Sequence, residues 1–157
     1  GIPADSTVSP KFTWDMPNVT RIDTDSAYLA VNLLYSHTVK VFRRDDIGAN
    51  PPQPYATVFR NPQGTQRLNL PEGVAVGHNM LMIADTGANR VQVWSSMQAA
   101  ADNRDPDIVL GKGDLLYEEP RTTQNRTFWP AAISYDGTNL WVGEYKFSNR
   151  LLRFTKH

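Results

Sequence analysis

An all-β fold built of repeated four-stranded antiparallel units is predicted by three observations on this chain of 157 residues. The first is internal repetition. Leu70–Trp94 reads LPEGVAVGHNMLMIADTGANRVQVW, and weaker copies flank it at Pro17–Phe42, PNVTRIDTDSAYLAVNLLYSHTVKVF, and at Trp129–Phe154, WPAAISYDGTNLWVGEYKFSNRLLRF. The second is shared punctuation. Each unit has an opening proline, an apolar run, a turn, a second run ending at Asn32, Asp85 or Glu144, and a third ending at Phe42, Trp94 or Phe154. The third is the second run of the central unit, MLMIA, which is apolar at every position and so fits a sheet covered on both faces. Successive copies are offset by 53 and 59 residues. Repeats of short strands at about 40–50 residues are the mark of β-propeller blades, and the surplus length belongs in loops.

In chain order, residues 1–15 read as an N-terminal arm. Pro3 and Pro10 favour extended backbone, and Lys11–Trp14 (KFTW) fits either a short strand seeking a sheet or a loose tail. Three blades follow at about 16–60, 68–112 and 128–157. The first has strands at Ala27–Val31, Val39–Phe42 and, behind a proline-rich segment, Tyr55–Phe59. The central blade has strands at Gly73–Val76, Met80–Ala84, Arg90–Trp94 and Asp107–Leu110, with turns at Gly77–Asn79 and Asp85–Asn89. Ser95–Ala101 has a serine cap and an alanine run, but a helix this short is marginal in isolation, so it reads as a decorated loop. The third blade has Ala132–Tyr135, Leu140–Val142 and Leu151–Phe154, and lacks a fourth strand.

The central unit resembles an NHL repeat, whose usual form is a Pro-x-Gly-Val-Ala-Val opening and an Ala-Asp-Thr-Gly-x-x-Arg-Val core, and PDIVLGKGD resembles the outer-strand segment of bacterial members. The third unit keeps part of the core as Glu144 and Asn149-Arg150; the first has Thr38 in place of the arginine. The resemblance implies a β-propeller, usually six-bladed, used mostly as a rigid scaffold for proteins, glycans or nucleic acid, and in a minority of relatives as a metal-dependent lyase or hydrolase.

Three blades do not close a ring, because propellers need four to eight, and an open half exposes two blade faces. Two readings follow. Either two chains form a homodimer that completes a six-bladed ring, with the arm supplying the missing outer strand to the partner's third blade, or the chain is part of a longer one.

Strand connectivity selects a loop face. The turns between second and third strands and the blade-to-blade crossings share one side of an antiparallel propeller. That side carries Asp85, Arg90, Glu144, Tyr145, Lys146 and Arg150, together with Tyr117, Glu118, Glu119, Arg121 and Arg126 of the longest crossing, and these are the candidate ligand contacts. Each also has a structural reading. Asp85 caps its own turn, Arg90 pairs with carbonyls or with Asp85, Glu144 and Arg150 do likewise, and the crossing is a solvated segment. Trp94, Trp129 and Trp141 read as core.

Catalytic patterns are thin. His37 and His78 fall on opposite faces and His157 is terminal, so no zinc spacing exists in one chain. A two-fold dimer leaves a divalent cation such as calcium on a central channel as the cofactor alternative. Gly111-Lys-Gly-Asp114 lacks the rest of a phosphate loop, and there is no Gly-x-Ser-x-Gly elbow. With 16 basic and 16 acidic residues the net charge is zero, which argues against nucleic acid. No apolar run approaches the roughly 18 residues of a membrane helix. Cysteine is absent, and residue 1 is Gly rather than Met, which leaves a removed export signal and an extracytoplasmic location among the readings.

Overall fold

The computed structural model describes residues 12–48, 52–59, 68–111, 122–123, 126–146 and 148–155. They form three antiparallel sheets in chain order. Blade 1 consists of β1 (Val19–Thr24), β2 (Tyr28–Leu33), β3 (Thr38–Arg43) and β4 (Ala56–Phe59), paired in that order. Blade 2 consists of β5 (Gly73–Gly77), β6 (Met80–Asp85), β7 (Arg90–Trp94) and β8 (Ile108–Leu110). Blade 3 has β9 (Pro130–Tyr135), β10 (Asn139–Glu144) and β11 (Leu151–Thr155), a three-stranded sheet without a fourth strand among the described residues. Strand β1 leaves little mark in the sequence, because VTRIDT carries almost no apolar alternation, and it is mostly exposed.

The sheets stack through their first strands, with β5 between β1 and β9, and fan out without closing a ring. Side chains alternate between the two faces of each strand, so each blade contributes to two gaps. Ala30, Val39, Val41 and Val58 of blade 1 meet Val74, Leu81, Ile83 and Trp94 of blade 2 in one apolar cluster. Ala75, Met82 and Val93 on the other face of blade 2 meet Leu140, Val142 and Phe154 of blade 3. The uniformly apolar β6 is thereby buried on both faces, as its composition requires. The approach of first strands is close enough that a Cβ on Gly73 would lie 2.5 Å from the Ala131 carbonyl oxygen, so glycine is required there.

Two expectations are corrected. Met97–Ala101 is a helix, α1, rather than a loop. Its Met97, Ala99 and Ala100 are buried against blade 1, the Met97 N–H donates to Asn79 O at 2.6 Å, and the Tyr55 hydroxyl donates to Gln98 at 2.6 Å. Tertiary packing, which peptide propensity ignores, holds it. Secondly, only Trp94 of the three strand tryptophans is core. Trp129 and Trp141 are half-buried, and Trp129 precedes β9 rather than lying within a strand.

Residues 12–16 form no strand in this chain, and Lys11 lies outside the described residues. Trp14 lies 5.9 Å from Phe42, ring to ring, and Met16 packs on Val31, Leu33 and Phe42. These side chains occupy the free face of blade 1 as Leu68 occupies the gap between blades 1 and 2.

Candidate functional site

The turns between second and third strands and the lead-in segments of blades 2 and 3 share one side of the fan. Their hydrogen bonds run between blades. His37 Nδ1, in the β2–β3 turn, accepts the Leu70 N–H at 2.9 Å, and Asn89 Oδ1, in the β6–β7 turn, accepts the Trp129 N–H at 3.1 Å.

Beneath these turns lies a repeated latch. At the end of β6, Asp85 is fully buried; its Oδ1 accepts the Asn69 N–H at 2.5 Å, and its Oδ2 accepts Arg90 Nε at 2.7 Å and Gln92 Nε2 at 2.9 Å. At the end of β10, Glu144 Oε1 accepts the Phe128 N–H at 2.8 Å, while Oε2 accepts Arg150 Nε at 2.7 Å and the Ser148 hydroxyl at 2.6 Å. In both blades a buried carboxylate binds a backbone N–H of the incoming crossing and pairs with an arginine, Arg90 as the first residue of β7 and Arg150 just before β11. The expected cap on Asp85's own turn is replaced by this longer reach, and the 3-10 turn Thr86–Ala88 has no side-chain cap.

Blade 1 lacks the arginine, and its Asn32 is neutral. Asn32 Nδ2 donates to Thr20 Oγ1 at 2.8 Å and to Pro71 O at 2.7 Å. A carboxylate here would be buried with no cation opening β3, so the amide is the residue that the missing arginine permits.

Burial pushes the Asp85 carboxyl up from 3.8 to about 6 despite the pull of Arg90 and of the Asn69 N–H. Arg90 is 1% exposed, against 26% for Arg150, whose Nη atoms also donate to the Thr123 and Arg126 carbonyls. Asp85, Arg90, Glu144 and Arg150 thus form two latches below the loop face.

Tyr145 and Lys146 stand above them. The Tyr145 ring meets Trp129 edge-on at 6.0 Å, and its hydroxyl donates to Glu72 at 3.1 Å. Lys146 Nζ lies 3.2 Å from the Trp129 ring centroid. Partial desolvation first, and the adjacent Glu72 carboxylate second, hold the Tyr145 hydroxyl above its ordinary pKa. An aromatic face, a cation and a carboxylate thus lie side by side on the loop face, each already paired with a neighbour in the group. Tyr117, Glu118, Glu119 and Arg121 lie outside the described residues.

The opposite end holds a cleft of about 520 Å³ where the three first hairpins meet, lined by Asp23, Asp25, Tyr28, His78, Asn79 and Tyr135, among others. His78 Nδ1 lies 3.4 Å from the Tyr135 hydroxyl, and Asp23 accepts the Val76 N–H at 2.8 Å. The sequence placed His78 on this face but gave no sign of a concavity, which arises from hairpins of different blades. Among the described residues no group of three His, Asp or Glu side chains is placed to hold a metal ion.

This architecture is that of a β-propeller, with three blades among the described residues. Solved structures with the same arrangement include Kuenenia stuttgartiensis hydrazine synthase, with a TM-score of 0.53 and 16% identity over 86% of this chain and 31% of that one. They also include the computationally designed Ika8 protein, with a TM-score of 0.51 and 14% identity over 87% of this chain and 33% of that one. Myxococcus xanthus glutaminyl cyclase aligns with a TM-score of 0.51 and 9% identity over 85% of this chain and 46% of that one. At these identities the likeness is one of fold, and the chain spans between about a third and a half of the length of the structures it resembles. No protein-family model matches the chain, and no curated protein matches it.

Proposed function

We propose that the chain is a non-enzymatic binding scaffold of the NHL type, a half-propeller that pairs with a second copy into a six-bladed ring and presents its loop face to a protein or glycan. The observation that carries this reading is where exposed apolar side chains lie. Val19, Ile22 and Phe59 on the free face of blade 1 are 46%, 65% and 39% exposed, and Leu151 on the free face of blade 3 is 69% exposed. Strand register places the first three on the same side as Val31, Leu33 and Phe42, and sets Leu151 opposite Gly143 on the side away from blade 2. Exposed apolar side chains on the two outer sheet faces, three on blade 1 and Leu151 on blade 3, are what a further blade on each side would cover. A two-fold pairing brings the free face of each blade 3 against the partner's blade 1 and satisfies both at once.

The loop face then carries two copies of the Trp129, Tyr145, Lys146 and Glu72 patch, suited to a sugar face or a charged side chain. In this reading the N-terminal arm supplies an outer strand to the partner's third blade, which has no fourth strand among the described residues.

A second reading, that the chain is a segment of a longer propeller, is favoured by its spanning only 31–46% of the three similar structures. Leu151→Arg tests the preferred reading, because it sets a charge on the free face of blade 3 and touches no interior contact. In sedimentation velocity the unsubstituted chain is expected as a dimer and the variant as a folded monomer. Equal sedimentation of the two as dimers would move the contact elsewhere, and equal sedimentation as monomers would favour the longer-chain reading.

A further inference from the structure

We infer that Asn149 is the socket by which blade 3 grips the second copy, accepting the backbone N–H of the partner's Met16, the residue before the proline that opens blade 1. This rests on the ring-closing reading above.

The inference comes from the two blade contacts within the chain, which share one device. In each, the residue before the third strand of one blade is left-handed and offers a side-chain acceptor: His37 (φ 49°) and Asn89 (φ 55°). Each binds the N–H of a residue that is itself left-handed and precedes the proline opening the next blade, Leu70 (φ 49°) before Pro71 and Trp129 (φ 50°) before Pro130. Bulky residues rarely adopt this conformation, and residues before proline rarely leave extended backbone, so finding it at both contacts marks a specific docking geometry.

Blade 3 presents the same left-handed asparagine before its third strand. Asn149 is left-handed at φ 46°, precedes Arg150 as Asn89 precedes Arg90, is exposed, and makes no side-chain hydrogen bond among the described residues. It sits at the loop-face end of β11, beside the free sheet face that carries Leu151. The complementary part is at the other end of the chain. Met16 precedes Pro17 as Leu70 precedes Pro71, and packs on the free face of blade 1, as the lead-in to blade 2 packs on blade 1. One difference exists: the left-handed residue of this lead-in is Asn18 (φ 60°), one place after the proline. The open ends of the fan thus continue the two contacts already inside it, and a second copy of this chain supplies both missing halves.

Asn149→Gly is the informative variant, because glycine adopts the left-handed conformation freely and removes only the acceptor. Asn149→Asp keeps an acceptor in the same conformation. Dimer dissociation constants are measured by sedimentation equilibrium for the three proteins, with thermal unfolding at high dilution as the fold control. The N149G dimer is expected to dissociate about tenfold more readily, since two symmetric hydrogen bonds are lost, and N149D to stay within about threefold of the unsubstituted protein. A dimer whose constant moves less than twofold in N149G would overturn the socket while leaving ring closure standing. An unsubstituted chain that stays monomeric throughout would overturn both.

Discussion

Replacing Arg90 by methionine isolates the cost of one buried charge. Asp85 is fully buried, and Arg90 is its cationic partner at 2.7 Å. Methionine fills similar volume but leaves a carboxylate with only the Asn69 N–H and the Gln92 amide to stabilise it. Breaking a buried pair in this way costs about 3–5 kcal/mol, a large share of the roughly 5–15 kcal/mol that holds a domain folded. The relief available to Asp85 is protonation. Its carboxyl is already raised to about 6 with the arginine present, and removing the arginine raises it further. A folded-state pKa above the unfolded one means that the native state binds the proton more tightly. Stability is therefore fully present below the unfolded pKa of 3.8 and is lost as pH rises through the folded pKa. For R90M the loss extends past pH 6, and each unit of pH between 5 and 7 removes about 1.4 kcal/mol. Urea unfolding at pH 5 and pH 7 reads this out: with an m-value near 2 kcal/mol per molar, the R90M midpoint should fall by about 1 M or more between the two. The protein with arginine should lose less. An R90M midpoint that is unchanged between pH 5 and pH 7, or that rises, would refute the assignment of Asp85 as a buried charge held by Arg90.

The other latches give complementary expectations. Asn32→Asp sets an oxygen against the Pro71 carbonyl where the amide now donates at 2.7 Å, and no arginine opens β3 to compensate, so about 3 kcal/mol should be lost at neutral pH and part of it regained in acid, as chemical denaturation at the two pH values would register. An N32D protein as stable as the parent at pH 7 would sink the account of why blade 1 carries an amide. Asp136 behaves in the opposite sense. The Asn139 N–H, the Trp141 indole N–H and the Thr138 N–H hold its exposed carboxyl well below the ordinary carboxylate range. What it contributes is present above pH 3.8 and lost only as pH falls toward its own low pKa. A carboxyl carbon titration by NMR should find it among the last carboxylates to protonate, and a midpoint near 4 would contradict the turn geometry.

The blade pattern was legible because it is local. Strands β5, β6 and β7 have strong apolar runs between turn residues, and Asp85 and Glu144 close β6 and β10, while Asn32 is the last residue but one of β2 and pairs with Val39. What sequence reading missed depends on distant partners. Strand β1 is held by pairing with β2 rather than by its own composition, and α1 by burial against β4. Asp85 reaches back sixteen residues to the Asn69 N–H, which no turn rule anticipates. The Trp129 and Lys146 contact and the cleft beside His78 join residues from separate turns or hairpins, so only the folded arrangement displays them. The shared left-handed turns of His37, Asn89 and Asn149 were hidden for another reason, since histidine and asparagine occupy them alike and backbone angle is what they have in common.

Ring closure is tested most directly by the mass of the unsubstituted protein in solution. Light scattering across a concentration series is expected to converge on twice the chain mass of 17.6 kDa, as two three-bladed halves demand. A monodisperse species at 17.6 kDa, stable to high concentration, would contradict the claim that a second copy covers the free faces of blades 1 and 3.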